Sequence, residues 1–361
     1  MNSLKSITPR TQLDEYLPNR EVNFEMLHED AYKANTVYLT GDLTITNAAA
    51  DEECLYDNYT GIGAFFENVN TRCDLYQEVI SNYGRLIKMK NTLSLSPDQL
   101  SSGLKNTSEL LCPHLSKTPT ILASNENGTT ISFAHFFNMG LNQMTGDLDS
   151  AKSGKINLSF KLVDPQKVFF GADAFTAPDE MTYTMSNLEL HYMTVPTGSP
   201  SVSIRVVEDT QKLIQTSNTT IANTFVNPVD SVLVSFSTVT SENQETENYL
   251  VCQNPNISKM SWVYNDMSNQ LVSYEIETIE EQLLSGFYVM DSMGCAVDLR
   301  EKITLATQDA VHNSNDKFIL GLKIGQLMDF SRSGLGLNVR IDGLNENYYA
   351  HFYGFGSKQL F

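Results

Sequence analysis

The stretch NLELHYMTVPTGSP, residues 187–200, contains the two features that decide the fold. Leu188, Leu190 and Tyr192 alternate with polar residues, which is the period of a β-strand with one buried face. Pro196 ends the pattern, because proline cannot donate a hydrogen bond to a neighbouring strand. The segment VPTGSP combines two prolines, a glycine and small polar residues, a composition typical of a domain boundary. The stretch therefore predicts a strand that closes one β-rich unit before a linker.

The same period-two alternation recurs in short segments on both sides of this boundary, separated by polar, turn-rich connections. The segment at 36–47, TVYLTGDLTITN, predicts a strand or a hairpin with Gly41-Asp42 near its turn. The other alternating segments are 156–163, 231–239, 317–324, 335–341 and 347–355. Many short strands rich in β-branched and aromatic residues indicate an all-β protein built from sandwiches.

Two segments have the apolar spacing of a helix. Residues 74–88, DLYQEVISNYGRLIK, place apolar residues three and four apart, with Asp74 as the expected N-cap. Residues 274–286, YEIETIEEQLLSG, show a similar spacing that closes on Gly286. We expect two short helices that pack on sheets, and loops at strand edges are the alternative for both.

The length of 361 residues predicts two domains. Pro9, Pro18 and dense charge suggest that the first residues form an arm outside any core. The expected organisation is an arm at 1–35, a first sandwich at 36–196, a linker at 197–200 and a second sandwich at 201–361. Long polar connections are expected at 47–60, 94–120, 240–258 and 305–316, where contacts with other molecules tend to lie.

The formal net charge is −19, and the scarcity of Lys and Arg argues against gripping a phosphate backbone. We therefore expect no direct sequence-specific binding of nucleic acid. No apolar stretch is long enough to suggest a membrane-spanning helix, and the first 21 residues lack the apolar core of a secretory signal. Five scattered cysteines without a CxxC pair indicate reduced thiols.

The sequence contains no phosphate-binding glycine loop and no GxSxG motif. Gly334-Leu-Gly336 and Gly354-Phe-Gly356 lie in strand patterns, where bulges or tight packing explain them better than ligand binding. None of the six histidines has the spacing of a metal pair, and Cys112-Pro-His114 lacks further ligands nearby. We predict no metal site, no cofactor site and no catalytic residue.

Paired acidic residues are better explained as solvated loops or helix faces than as catalytic groups. They are Asp51-Glu52-Glu53, Asp179-Glu180 and Glu280-Glu281. A glycoside-active enzyme using Asp179 or Glu180 is a remote alternative. The aromatic row at 348–355 favours a buried core or a subunit contact over stacking on sugar rings. The polar excess is Asn, Ser and Thr in loops, which indicates a binding or structural protein and not an enzyme.

Four segments resemble, in the same order, parts of the double jelly-roll capsid proteins of the adenovirus–tectivirus lineage, which includes tailless bacterial viruses, virophages, Polinton-like elements and large DNA viruses. Residues 61–93 resemble an early strand followed by a helix, with Tyr83-Gly84-Arg85-Leu86 inside it. Residues 156–195 resemble the close of a first jelly roll, 229–266 paired strands of a second, and 347–361 its aromatic last strand.

This resemblance implies two consecutive eight-stranded jelly-roll sandwiches with a few short helices. It implies a structural major capsid protein whose homotrimers form pseudo-hexagonal capsomers of an icosahedral shell, located in the virion and assembled in the host cytoplasm or nucleus. The implied partners are neighbouring capsomers and minor or vertex capsid proteins, with an internal membrane reached through the arm. The alternatives are a jelly-roll carbohydrate-binding or attachment protein, and a minor vertex capsid protein with one jelly roll.

Overall fold

The structure of the protein is a computed structural model that describes most of the chain. The described residues are 2–48, 54–57, 60–94, 120–122, 125–171, 181–239, 249–265, 270–276, 278–292, 318–332, 334–344 and 346–361.

The first part of the chain forms two antiparallel sheets that face each other. Its strands are β1 Ser3–Ile7, β2 Glu21–Met26, β3 Ala31–Tyr32, β4 Tyr38–Asn47, β5 Cys54–Tyr56, β6 Phe66–Arg72, β7 Gln77–Ile80, β8 Thr120–Leu122, β9 Asn125–Phe136, β10 Ile156–Leu162, β11 Phe169–Gly171 and β12 Met181–Val195. Sheet I has the order β1-β12-β4-β9, with β3 also paired to β12, and sheet II has the order β2-β10-β6-β7. Strands β11, β5 and β8 form a small third sheet. Sheets I and II make up the first sandwich.

The second part of the chain repeats this arrangement without the extra strands. Its strands are β13 Ser203–Ile214, β14 Asn218–Asn223, β15 Val229–Thr238, β16 Ile257–Asn265, β17 Leu271–Ile276, β18 Ile319–Met328, β19 Leu335–Ile341 and β20 Tyr348–Gln359. Sheet III has the order β13-β20-β15-β18, and sheet IV has the order β14-β19-β16-β17. Sheets III and IV make up the second sandwich.

Both sandwiches have the jelly-roll topology. When the eight principal strands of each are numbered along the chain, one sheet contains the first, eighth, third and sixth strands, and its partner contains the second, seventh, fourth and fifth. Two four-stranded sheets with this order are characteristic of a jelly roll. The predicted fold class, all-β with two consecutive eight-stranded jelly rolls, is confirmed.

The helices are few and short, as predicted, but their bounds differ from the prediction. Helix α1 spans Tyr83–Ser94, and helix α2 spans Ile279–Ser292. Among the described residues there are also short helical segments at Gly61–Phe65, Gly140–Asn142, Ser150–Ser153 and Pro165–Lys167.

The predicted helix at 74–88 is wrong in its first half, because β7 occupies residues 77–80. This strand pairs with β6, and pairing across the sheet outweighs the helical spacing of its apolar residues. Asp74 is therefore not a helix cap. Gly286 lies inside α2 and does not end it. A Cβ at Gly286 would lie 3.0 Å from the carbonyl oxygen of Ile319, so glycine lets the helix approach β18 closely.

The predicted arm at residues 1–35 is also wrong. Strand β1 pairs with β12 over five residues, and β2 pairs with β10. Val22, Phe24 and Met26 of β2 alternate with exposed or half-exposed residues and are buried in the core. Burying this face, together with the ladder hydrogen bonds, places the segment in both sheets of the first sandwich. Within the segment at 36–47, Tyr38–Asn47 forms one continuous strand rather than a hairpin.

Candidate interaction surfaces

The residues singled out for chemistry do not form a catalytic or metal centre in the described part of the chain. No three His, Cys, Asp or Glu side chains come together there as metal ligands. Cys112-Pro-His114, Asp51-Glu52-Glu53 and Asp179-Glu180 lie outside the described residues. Cys73 and Cys252 are buried free thiols. None of the described helices has the length and apolarity needed to cross a bilayer.

Glu281 of the acidic pair at 280–281 has a structural role. Its backbone N–H donates to the Thr278 hydroxyl at 3.3 Å, and its carboxylate accepts from the Thr278 N–H at 3.4 Å. This reciprocal pair is a capping box, which satisfies two backbone donors at the start of α2.

Three residues of the C-terminal aromatic row, Phe352, Tyr353 and Phe355, are buried, as predicted, and so are not available to stack on a sugar. Tyr348 and Tyr349 are half-buried. Phe352 lies in the core of the second sandwich. Tyr353 and Phe355 point the opposite way and join the core that is centred on the first sandwich. Gly354 and Gly356 serve tight packing, because a Cβ at either position would collide with the segment at 225–229.

The junction between the sandwiches is an apolar contact on the outer face of sheet III, the face turned away from sheet IV. Leu233, Tyr353 and Phe355 on this face are fully buried against the first sandwich. The first sandwich places β7 and the turn at Gly140–Asn142 against β13, while α1 contacts α2. Sheet III thus contributes residues to two apolar clusters, with one face in the core of the second sandwich and the other in the core centred on the first.

Polar groups cross the same junction. Glu78 of β7 accepts the Val207 N–H of β13 at 2.8 Å. In the other direction, Asp209 of β13 accepts the Ser81 N–H at 2.9 Å. Arg85 of α1 donates to the carbonyl oxygens of residues 249 and 251, each at 2.6 Å. Buried donors and acceptors are paired here, which fixes how the sandwiches dock.

The two sandwiches carry the same histidine contact at equivalent positions. Nε2 of His191 in β12 lies 2.8 Å from the Thr40 hydroxyl of β4. Nε2 of His351 in β20 lies 2.8 Å from the Ser237 hydroxyl of β15. In each case the hydroxyl belongs to the residue two positions after the one that pairs with the histidine. Sheets I and III can therefore be compared residue by residue, and both histidines are hydrogen-bonded sheet residues.

Sheets II and IV are also equivalent. Ser159 of β10 lies in register between two asparagines of the flanking strands. At the same place in sheet IV, Asn338 of β19 accepts from Thr220 at 2.7 Å and donates to Ser261 at 3.1 Å. Grooves of about 770 and 300 Å³ lie over these polar faces. In this register Glu78 of β7 corresponds to Tyr274 of β17.

The outer face of sheet I corresponds to the buried outer face of sheet III but is not covered by the described part of the chain. Tyr38 stacks on His191 with ring centroids 4.7 Å apart, and Phe136 lies 5.2 Å from Tyr38. Phe136 is 43% exposed, and Leu4 of β1 is 58% exposed. This set of four residues, which we call the aromatic face, is a row of rings and an aliphatic side chain open to solvent.

An edge of the second sandwich is also not covered by the described residues. Strand β17 and helix α2 occupy in the second sandwich the place that β7 and α1 occupy in the first. Leu271 and Tyr274 of β17 are 71% and 52% exposed, and Tyr288 of α2 is also exposed. These three residues form what we call the β17 edge. Glu78, the counterpart of Tyr274 in the first sandwich, is buried and contacts β13.

Sequence reasoning did not find these surfaces. Phe136 and Leu4 have no motif around them, and Glu78 lies in the segment at 74–88 that the apolar spacing predicts to be a helix. The available signal was alternation in β1 and β7, but five and four residues are too few to distinguish a strand from other structures.

Comparison with known proteins gives structural neighbours only. No protein-family model matches the sequence, and no curated protein matches it.

Solved structures match nearly the whole chain at low sequence identity. The Faustovirus major capsid protein superimposes with a TM-score of 0.60 at 8% identity, covering 99% of this chain and 90% of that one. A chain of the Sputnik virophage, solved by cryo-EM, gives 0.56 at 9% identity, with 100% and 86% coverage. The mavirus major capsid protein gives 0.52 at 10% identity, with 98% and 86% coverage. The chain therefore has the double jelly-roll fold of the Faustovirus and mavirus major capsid proteins.

Proposed function

We propose that the protein is a structural major capsid protein, whose trimers form pseudo-hexagonal capsomers of an icosahedral viral shell. The fold shared over both sandwiches with two major capsid proteins supports this role. The described residues supply packing surfaces and no assembled catalytic group, which fits a structural role in the virion.

The observation that carries the proposal is that two surfaces, which the described residues leave exposed, correspond to the two sides of the junction between the sandwiches. Within the chain, the edge of the first sandwich at β7 and α1 covers the outer face of sheet III. The β17 edge is the equivalent of that edge, and the aromatic face is the equivalent of that outer face. A second copy can therefore place its β17 edge on the aromatic face and repeat the junction between molecules. Such a contact is heterologous, since each copy uses two different surfaces.

Heterologous contacts either close into a ring or continue as a filament. Three copies, each with two equivalent sandwiches, give a ring of six similar units. Such a ring is a closed homotrimer with a hexagonal outline, able to tile a flat facet. Each sandwich in the ring then contacts its neighbours in the same way, whether the contact lies within a chain or between chains.

Neighbouring capsomers and minor or vertex capsid proteins are the further partners that we propose. Leu13, Leu17 and Leu27 are exposed in the segments that flank β2, where apolar side chains favour a protein contact. Contact with an internal membrane through a free arm receives no support, because β1 and β2 of this segment are paired within the first sandwich.

The test measures oligomeric state by native mass spectrometry at micromolar concentration, with particle outlines from negative-stain electron microscopy. The wild type is expected to form trimers with a hexagonal outline. Phe136→Lys places a charge on the aromatic face and Tyr274→Ala truncates the β17 edge, so each should yield folded monomers. Val226→Lys is the matched control, since Val226 is 82% exposed outside both surfaces, and it should remain trimeric.

A wild type that stays monomeric, without threefold particles, would count against the capsomer. Equal behaviour of Phe136→Lys and Val226→Lys would reject the aromatic face as the contact, even if trimers form.

A further inference from the structure

Glu78 of β7 has a buried carboxyl group that contacts both sandwiches. It is 4% exposed, and its two oxygens accept hydrogen bonds from different parts of the junction. Oε2 accepts the Gly140 N–H of the first sandwich at 2.7 Å. Oε1 accepts the Val207 N–H of β13 at 2.8 Å. One side chain thus links the edge strand of the first sandwich to the first strand of the second.

Asp209 makes the reverse connection from two residues further along β13. Its Oδ1 accepts the Ser81 N–H, which directly follows β7, at 2.9 Å. Neither Glu78 nor Asp209 forms a salt bridge within the described residues. The junction is therefore crossed in both directions by carboxyl groups that bind backbone amides rather than cations.

Burial is the largest influence on both carboxyl groups. It raises the pKa of Glu78 to about 7, against the lowering effects of the Gly140 and Val207 amides and of Lys90. Burial likewise raises the pKa of Asp209, against the amides of residues 81 and 82. The other charged or titratable groups around the two carboxyls are Lys90, which donates to Asn138; Tyr76, before β7; Tyr353 of β20, which pairs in register with Asp209; Arg205, paired with Asp230; and Glu208, which accepts the amides of residues 226 and 227.

We propose that Glu78 and Asp209 form a pH-sensitive clamp, which holds the two sandwiches together more tightly in mild acid than at alkaline pH. Protonation removes the buried negative charge and leaves one carbonyl oxygen that still accepts an amide, while the amide at the other oxygen then faces a hydroxyl group and is held more weakly. An ionised carboxyl group strengthens the hydrogen bonds but leaves a negative charge away from water. The clamp concerns the junction within one chain, so it does not depend on the proposed capsid role.

The direction of the pH dependence follows from the linkage between protonation of Glu78 and closure of the junction. The pKa of Glu78 in the folded protein, about 7, lies above the ordinary value of 4.5 that applies when the junction opens. Its contribution to the closed junction is therefore fully present below about pH 4.5 and is lost as the pH rises through 7. Asp209, whose pKa is also raised by burial, acts in the same direction.

The clamp occurs once per chain. The position equivalent to Glu78 in the second sandwich is Tyr274, which carries no carboxyl group. Contacts made by the β17 edge should therefore lack this dependence on pH.

The test is hydrogen exchange of the full-length protein, read at the amides of Val207 and Ser81 and corrected for intrinsic exchange rates. Between pH 5 and pH 8 the protection of the Val207 amide in the wild type should fall by at least about tenfold. Glu78→Gln cannot ionise and should lose most of that change. Glu21→Gln, on the exposed side of β2, is the matched control and should follow the wild type.

Wild-type protection of Val207 that stays constant or rises with pH would overturn the clamp. So would identical pH profiles for the wild type and Glu78→Gln. If Glu78→Gln does not fold, Asp209→Asn serves as the second variant, and a Ser81 profile unchanged from wild type would also contradict the proposal.

Discussion

Lys88 and Asp57 form an ion pair that water does not reach. Nζ of Lys88 and Oδ2 of Asp57 lie 2.5 Å apart, and their side chains are 0% and 2% exposed. Oδ1 of Asp57 also accepts from the backbone and hydroxyl of Thr60. Removing one partner would leave the other charge buried and uncompensated, which costs far more than losing a surface pair.

We predict that Lys88→Met lowers the free energy of unfolding by about 3–5 kcal/mol, measured by urea denaturation at neutral pH. Lys155→Met is the control, since Lys155 pairs with Glu25 at the surface, and it should cost less than about 1 kcal/mol. The double variant Lys88→Met, Asp57→Asn should cost less than the sum of its single changes. A Lys88→Met variant as stable as Lys155→Met would show that the pair is not sheltered.

At the scale of elements, β1 protects the edge of sheet I. It pairs with β12 from Ser3 to Ile7, so its removal would leave the outer backbone groups of β12 without partners. Unpaired strand edges favour association with other chains.

Deleting residues 1–8 should lower the melting temperature and promote aggregation, measured by thermal denaturation with light scattering. Deleting residues 1–2 keeps β1 intact and should have little effect. Equal melting curves for the two deletions would mean that the segment behaves as a free arm after all.

For the whole molecule, the net charge of −19 opposes association of copies. Raising NaCl from about 50 mM to about 500 mM shortens the screening length from about 14 Å to about 4 Å. Sedimentation velocity should therefore show association at lower protein concentration in high salt. Phe136→Lys should remain monomeric at both concentrations of salt, because it disrupts the contact while it changes the net charge of −19 by only one unit. Association that weakens with salt would imply that charge pairs, and not apolar surfaces, hold the copies together.

Elements with a long and regular pattern could be predicted from the sequence. The alternation at 156–163 and 335–341 corresponds to β10 and β19, because each inward side chain is buried between two sheets. Strand β7 could not be found in this way. Its four residues also fit the spacing of a helix, and only pairing with β6 selects the strand.

The interaction surfaces were less accessible to such reasoning. The aromatic row at the C-terminus is predicted to form a core or a subunit contact. Phe352 lies in the core of the second sandwich, and Tyr353 and Phe355, on the opposite face of β20, lie in the core centred on the first. Phe136 and Tyr38 come together only through the register of β4 and β9. Glu78 and Asp209 are separated by 131 positions along the chain, and no local pattern relates them.

The amino-acid sequence by itself determined the all-β class, the presence of two sandwiches around the boundary near Pro196, and the acidic surface. These follow from period, composition and charge, which are local or additive properties of the chain. The tertiary structure decided that β1, β2 and β3 join the sheets, that the sandwiches dock through sheet III, and that no described residue covers the equivalent face of sheet I. Burial and strand pairing join residues that are distant in the chain, so those outcomes depend on packing that no single segment encodes.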